Sequence, residues 1–469
     1  MTTYSATFRE EHVKTLRDHL IREDGCERAA YVLLNSAAIR FDPWDRQAHR
    51  KLLAAAVVPV PDDHIVESTP TLVTWRTASF IAALKRAEAR GQYVAIVHNH
   101  PAGMAEFSAQ DDANEPELVQ LAQNRNGPDT PLLSFILTPE GEIRGRVWAN
   151  PKYKQDLRLV RVTGERLRLQ YPDRGTSGVA AAFDRQALAF GPALTQDLRW
   201  LRIAIVGCGG TGSAVAMLLA RLGVGHLLLI DNDIVDATNL NRLHGARQAD
   251  ADAMRPKVEV VARAITELGL GVKVANREAW VGDPECRDGL RSCDIIFGCT
   301  DDNDGRLFLS RLALFYLIPT FDLGLHMKPA DDPKGGFQAL DGRVTLVLPG
   351  KPCLSCRGVI SAALASEEAM KRETPELYER RKAEAYVIGE GNPNPAVVTF
   401  TTEVATMAIN ELLHRLHGFR GESSPANIVR QFHRMTDFRP GAKPVAGCRL
   451  CDRDTYWGRG DMDPFLDRS

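Results

Sequence analysis

His98 and His100 are separated by one residue and stand directly before Pro101, with Ser108 and Asp111 a short loop further on. Two imidazoles at i and i+2, at the end of the apolar run Tyr93 to Val97, point to the same side of a strand. With one carboxylate they form a three-ligand set for zinc. The fourth position can hold a water whose pKa falls to about 7 on the metal. Hydrolysis also needs a general base. Glu27, just ahead of the apolar run Tyr31 to Leu34, is the first candidate and Glu23 the second. Ser108 can donate to a tetrahedral oxyanion. A bare His-x-His-Pro also suits a surface turn, so it is the full set that carries the reading.

A second constellation begins at Gly207, Gly209, Gly210 and Gly212. Glycines after a β-branched run let backbone N–H groups approach a phosphate at a helix N-terminus. Asp231 ends the next apolar run, where an acid can bind a ribose hydroxyl. That much fits NAD as well as ATP. The residues beyond it are more particular. Asp233, Asn239, Asn241 and Arg242 lead into Lys257, and Cys299-Thr300-Asp301-Asp302-Asn303 follows with Arg306 just beyond. Phe183-Asp184-Arg185-Gln186 lies upstream. Cys353 and Cys356, with Cys448 and Cys451, form two Cys-x-x-Cys pairs, the spacing of a closed structural zinc site.

The elements that must position these groups read as two α/β units. In the first, a helix is expected from Glu10 to Glu27, strand character over Leu52 to Val60, and a helix over Thr77 to Arg90. A strand over Tyr93 to Val97, a helix from Asp111 to about Asn124, and strands over Leu132 to Leu137 and Glu142 to Trp148 follow. Charged, turn-rich sequence then marks a boundary, so the division expected is residues 1–155, a linker over 156–178, and 179–469. In the second unit, strands at Arg202–Val206, His226–Ile230 and Asp294–Gly298 alternate with helices at Ser213–Leu222 and Lys257–Leu268, the doubly wound pattern. Ser361 to Pro395 reads as a long mobile crossover loop. Cys208 and Cys299 read as packing residues, and Cys286 and Cys293 as the two thiols open to solvent.

The 469 residues carry 58 Lys+Arg against 60 Asp+Glu, a net charge of -2 that argues against a broadly basic nucleic-acid surface. The charged first twenty residues lack the apolar core of a secretory signal. The uncharged run Ile203 to Ala220 is broken by glycines and suits a strand, turn and helix rather than a membrane span. The expectation is a soluble cytoplasmic protein.

Glu27, His98-x-His100-Pro101, Ser108 and Asp111 together resemble the JAB/JAMM (MPN) metallo-isopeptidase family, over about residues 8 to 150. The resemblance implies a cytidine-deaminase-like α/β domain with His98, His100 and Asp111 as zinc ligands, Glu27 as base and Ser108 as oxyanion partner. It also implies cleavage after the C-terminal glycine of a ubiquitin-like protein. The second set resembles the ThiF/MoeB and ubiquitin-activating superfamily over about residues 180 to 455. That implies a Rossmann-like domain in which a carrier's C-terminal carboxylate attacks the α-phosphate of ATP. By motif position Gly207, Gly209, Gly210, Gly212, Asp231, Asp233 and Arg306 bind the nucleotide, with Asp231 on the ribose. Asn239, Arg242 and Lys257 contact or support phosphates, Asp301 serves magnesium, and Cys353, Cys356, Cys448 and Cys451 hold zinc. Arg185 matches an arginine that enters the partner protomer's site, which implies a homodimer. Residues 357 to 447 contain no cysteine, so the family's thioester cysteine has no counterpart here.

The combined expectation is a bifunctional enzyme of a bacterial ubiquitin-like pathway, with the carrier protein as partner and room for a ubiquitin-conjugating-like enzyme. Its rivals are sulfur-carrier activation, a nucleotide-sensing scaffold without turnover, and an NAD oxidoreductase. The last explains the glycine turn but not Arg242, Lys257, Asp301 or the cysteine pairs.

Overall fold

The computed structural model describes residues 2–172, 180–330, 335–383, 395–421 and 424–461. The first unit runs β1 (Thr3–Arg9), α1 (Glu10–Leu20), β2 (Ala29–Ile39), β3 (His49–Pro59), β4 (Ile65–Thr69), β5 (Leu72–Trp75), α2 (Thr77–Glu88), β6 (Tyr93–Asn99) and α3 (Ala109–Asn126). It closes with β7 (Leu132–Leu137), β8 (Ile143–Asn150), β9 (Tyr153–Asp156), β10 (Leu159–Thr163) and β11 (Leu167–Gln170). All but β4 and β5, which form a separate hairpin, join one sheet in the order β11-β10-β1-β3-β2-β6-β7-β8-β9. One face buries Phe8, Leu16 and Phe135, and the other buries Tyr31, Phe80 and Ile96 beneath α2 and α3.

The second unit runs α4 (Asp184–Phe190), α5 (Pro192–Trp200), β12 (Arg202–Val206), α6 (Gly210–Arg221), β13 (His226–Ile230), α7 (Gln248–Asp252), α8 (Lys257–Glu267), β14 (Lys273–Arg277), α9 (Pro284–Ser292), β15 (Ile295–Gly298) and α10 (Asn303–Phe315). It continues β16 (Thr320–Pro329), β17 (Phe337–Val347), α11 (Ala362–Glu373), α12 (Pro375–Ala383), α13 (Val398–His417), β18 (Asn427–Gln431), β19 (Thr436–Phe438) and α14 (Arg453–Tyr456). Its sheet order is β14-β13-β12-β15-β16-β17-β18-β19, and β14 through β16 are parallel. The order reverses between β12 and β15, which opens a crevice at the carboxyl ends of these strands. The fold is therefore α/β, Rossmann-like in its second unit.

The structure departs from the sequence expectations in three places. The segment read as a linker from 156 is largely β-structure: β10 pairs parallel with β1, and β11 pairs antiparallel with β10. Leu167 and Leu169 alternate inward past exposed Arg168, a period-2 pattern hidden among the charges. Turn-rich residues 173–179 lie outside the described part. The first helix stops at Leu20: Ile21 is already extended, and Arg22 to Gly25 (φ +63°) then form a turn, so Glu23 and Glu27 are not helical. The expected crossover loop holds α11 and α12. Ser361 caps α11 by accepting from the Leu364 N–H at 3.3 Å, and Ala, Leu, Glu and Met suit its interior. Residues 384–394 of that segment lie outside the described part.

The first unit docks beneath the amino ends of the parallel strands. Arg161 reaches Asp294, at the foot of β15, with Nη2 2.6 Å from Oδ1, and both side chains are at most 3% exposed. Asp294 Oδ2 also accepts the Arg202 N–H at 3.0 Å. Arg202, at the foot of β12, pairs with Asp42 and Asp45 of the β2–β3 loop. Trp44 of the same loop donates its indole N–H to the Lys273 carbonyl at the foot of β14. The C-terminal segment ties in as well: Asn35 donates to the Gly458 carbonyl at 2.6 Å, and the Asp461 N–H donates to the Ser36 carbonyl at 2.8 Å. Among the described residues no helix is long and apolar enough to cross a membrane.

Removing one partner of a buried ion pair strands the other in low dielectric and costs about 3–5 kcal/mol. Asp294→Ala should therefore lower stability by that order in urea titrations, whereas Lys14→Ala, which breaks an exposed pair with Asp18, should change it by less than about 1 kcal/mol.

Candidate functional sites

The zinc-type set assembles at the end of β6. His98 Nε2 lies 3.0 Å from His100 Nε2 and 3.2 Å from Asp111 Oδ1, and His100 Nε2 lies 3.8 Å from Asp111 Oδ2. Ring nitrogens on one tetrahedral ion at 2.0–2.1 Å sit about 3.3 Å apart, so the donors fit zinc. His100 Nδ1 lies 2.9 Å from the Met104 carbonyl. Donation there leaves Nε2 free for a metal.

Asp111 serves twice. It is the third residue of α3, and with Ser108 it forms a capping box: Ser108 N–H and Oγ each donate to Asp111 Oδ2 at 2.7 Å, and Asp111 N–H donates to Ser108 Oγ at 3.1 Å. Local helix initiation thus aims Oδ1 at His98. Glu27 is held by its backbone. Its N–H donates to the Thr69 carbonyl at 2.8 Å, its carbonyl accepts from Ser68 Oγ, and the Asn99 side chain accepts the neighbouring Arg28 N–H at 2.6 Å. Burial pushes the Glu27 carboxyl up to about 7, with His98 opposing and Asp111 adding to the shift. Glu23 is exposed and does not line the site. Around the set lies a mainly apolar groove of about 460 Å³, bounded by Leu72 to Trp75 of β5, Met104 and Leu118.

The second site is a cleft of about 600 Å³ at the switch point. Gly207, Gly209 and Gly210 line one end. Gly207 has φ +88°, and a Cβ there would come within 2.8 Å of the Cys299 backbone. A Cβ on Gly212 would stand 1.7 Å from the Gly207 carbonyl oxygen, so the turn closes only with glycine at these two positions. No side chain caps α6, which leaves its first N–H groups available to an anion.

Asp231 braces the glycine turn, accepting the Cys208 N–H at 2.6 Å on Oδ2 and the Asp233 N–H at 2.8 Å on Oδ1. Burial raises its carboxyl above the usual range. Lys257 Nζ is 2.6 Å from Asp233 Oδ2, Arg242 donates to the Thr238 carbonyl, and Arg306 Nε lies 3.2 Å from Asp322 Oδ1. All three cations line the cleft, and so does exposed Asp301. Asn239, expected to contact phosphates, does not line the cleft: it is buried in a capping box with Asp236. Arg185 is exposed on α4 and does not line this chain's cleft.

The four paired cysteines converge. Sγ–Sγ distances of 3.7 Å join Cys353 to Cys356 and Cys448, and Cys356 to Cys451. Thiolates 2.3 Å from a tetrahedral zinc lie about 3.8 Å apart, whereas a disulfide measures about 2.05 Å. The donor set fits zinc. Cys286 and Cys293, expected to be open, are both 0% exposed. They lie on and just beyond α9, on the face with Gly289 and Leu290 that packs into the core. Burial pushes the Cys286 thiol up to about 12.

Sequence reasoning did not point to Trp280, Glu368, Lys371 or Arg372, all of which line the cleft. No motif flags them, and three of the four come from the segment read as a loop.

A family model described as the ThiF family matches residues 183–449, and one described as prokaryotic homologs of the JAB domain matches residues 9–150. The SAMP-activating enzyme E1 of Haloferax volcanii is 29% identical over 155 residues, 33% of this chain and 52% of that protein. The ubiquitin-like modifier-activating enzyme 5 of Culex quinquefasciatus is 27% identical over 192 residues, 38% of this chain and 45% of that protein. The molybdopterin-synthase adenylyltransferase of Escherichia coli is 30% identical over 165 residues, 34% and 60% of the two chains. The chain thus spans about half the length of the curated relatives it matches.

Metal analysis of the purified chain should find two zinc ions. Cys448→Ser should remove one and His98→Ala the other, and the double variant should hold none.

Proposed function

The chain belongs to the ThiF family and carries a JAB domain ahead of the ThiF domain. On that premise we propose that it adenylates the C-terminal carboxylate of a ubiquitin-like or sulfur-carrier protein, and that its first domain is a zinc isopeptidase acting after such a terminus. The observation that carries the reading is the switch-point cleft, where the glycine turn, Asp231, Arg242, Lys257 and Asp301 surround one volume.

In adenylation, a carboxylate oxygen of the carrier bonds to the α-phosphorus of ATP and the bond to the bridging oxygen breaks, releasing pyrophosphate. The α6 N-terminus, Lys257 and Arg242 meet the phosphate charge, and Asp231 accepts from the ribose. Asp301, exposed in the cleft, would hold magnesium, which would supply further charge neutralisation to the phosphates. In the first domain His98, His100 and Asp111 would hold zinc, which acidifies a water and polarises a carbonyl. Glu27 takes the proton from the attacking water and delivers it to the departing amine. Ser108 Oγ, which now donates to Asp111, turns to donate to the oxyanion.

The thiols favour direct capture of the adenylate by another protein. Cys208, Cys286 and Cys293 are buried, the four paired cysteines suit zinc, and no cysteine lies between residues 357 and 447; of the two partly exposed thiols, Cys26 belongs to the first unit and Cys299, which lines the cleft, is held protonated by burial. The thiol or persulfide nucleophile then comes from a partner, as sulfur-carrier activation requires.

Glu27→Gln should retain zinc and lose cleavage of carrier fusions by a factor of about 100 or more, read by gel assay. Wild-type cleavage in that variant would remove Glu27 from the base role.

Asp301→Ala should abolish ATP–pyrophosphate exchange. Mixing Asp301→Ala chains with Arg185→Ala chains should restore part of it, because one composite site per heterodimer stays intact. No recovery in exchanging heterodimers would count against Arg185 acting in the partner's site.

A further inference from the structure

Helix α11 forms part of the cleft wall, and the expected nucleotide ligands do not account for it. Arg372 extends from its last turn. Nη2 lies 2.5 Å from Asp304 Oδ2, on the first turn of α10, and the Asp304 side chain is only 6% exposed. The Arg372 guanidinium carbon stands 3.4 Å from the centroid of the Trp280 ring. Glu368, one turn earlier, accepts from the Asp304 N–H at 2.8 Å and from Asn303 Nδ2 at 3.2 Å. Trp280 Nε1 donates to Asp302 Oδ2 at 3.3 Å, and Asp302 caps α10 by accepting the Gly305 N–H at 2.7 Å. Helix α11, Trp280 and the start of α10 are therefore one bonded set.

The position of this set in the cleft follows from the strands. Trp280 follows β14, and the Arg277 carbonyl at the end of β14 accepts the Asp231 N–H at 3.2 Å. The wall thus stands on the side of the cleft next to Asp231, the residue assigned to the ribose. Arg372 is thus fixed from two sides, by the Asp304 carboxylate and the Trp280 ring. A guanidinium 3.4 Å from the indole centroid and paired on one side still offers N–H donors in restricted directions, which suit the acceptors of a sugar or a nucleobase.

We propose that Arg372 is a nucleotide-contacting residue at the ribose-and-base end of the cleft, so that α11 completes the ATP site. This rests on the adenylation reading above. Loss of a charge-assisted hydrogen bond corresponds to about tenfold or more in affinity. In calorimetric titrations of the full chain with magnesium, Arg372→Ala should weaken ATP and AMP by that same factor, because both carry the ribose and base. Arg372→Lys keeps a cation for Asp304 but not the planar fork, and should recover only part of the loss. Tryptic cleavage within residues 362–383, measured without nucleotide, reports whether α11 remains seated. If Arg372→Ala loosens it, Arg372→Lys decides. Affinities within twofold of wild type in the variant that keeps its seat would overturn the proposal, as would a loss confined to ATP, which marks a phosphate contact. A wild-type chain that binds neither nucleotide would overturn the adenylation reading instead.

Discussion

The carboxylate of Asp294 is the point at which the two units become one body. It sits at the foot of β15, takes the Arg161 guanidinium from the first sheet, and accepts the Arg202 N–H from the second. Such a charge in a dry interface costs several kcal/mol to bury, and only complete pairing offsets it. Burial alone would raise its carboxyl; Arg161, with Arg158 and Lys51 near, outweighs that and holds it below the usual carboxylate range. The contribution is present above the unfolded pKa and is lost as acid brings the pH down through the depressed folded value. Arg202 extends the same logic to Asp42 and Asp45, so the loop between β2 and β3 is committed to docking.

Both chemical sets depend on ordinary folding devices. Asp111 points at His98 because it also closes a helix cap, and Asp231 reaches the cleft because it also ties down the glycine turn. A substitution at either residue would damage geometry and chemistry together. The cysteine cluster plays the corresponding part at the far end of the chain. It gathers Cys448 and Cys451 against Cys353 and Cys356, and the residues that follow then run on to Asn35 and Ser36 of β2.

Much of the fold was legible because its strands are short apolar runs bounded by glycine and charge. Tyr93–Asn99, Arg202–Val206 and His226–Ile230 stand close to where periodicity puts them. The histidine set was legible because i, i+2 spacing on a strand survives folding unchanged. Other features depend on tertiary packing. Leu167 and Leu169 look like part of a charged linker until β10 supplies a pairing partner. Cys286 and Cys293 are small apolar groups on an otherwise polar helix, and only the fold shows that this face is inward. Arg372 and Trp280 are 92 positions apart, and nothing local foretells that a guanidinium will rest on that indole.

Strand direction has a consequence for traffic between the sites. The cleft opens at the carboxyl ends of β12, β13 and β15, and the first unit is fastened at their amino ends, about 17 Å away for a five-residue strand. Its histidines lie further off still, at the Ala29 end of β2, remote from the docking loop that follows Ile39. The length of these strands therefore separates the cleft from the docked unit that carries the histidines of the same chain. On the proposed reading, a carrier tail leaving one site of this chain would have to dock again to reach the other site of the same chain.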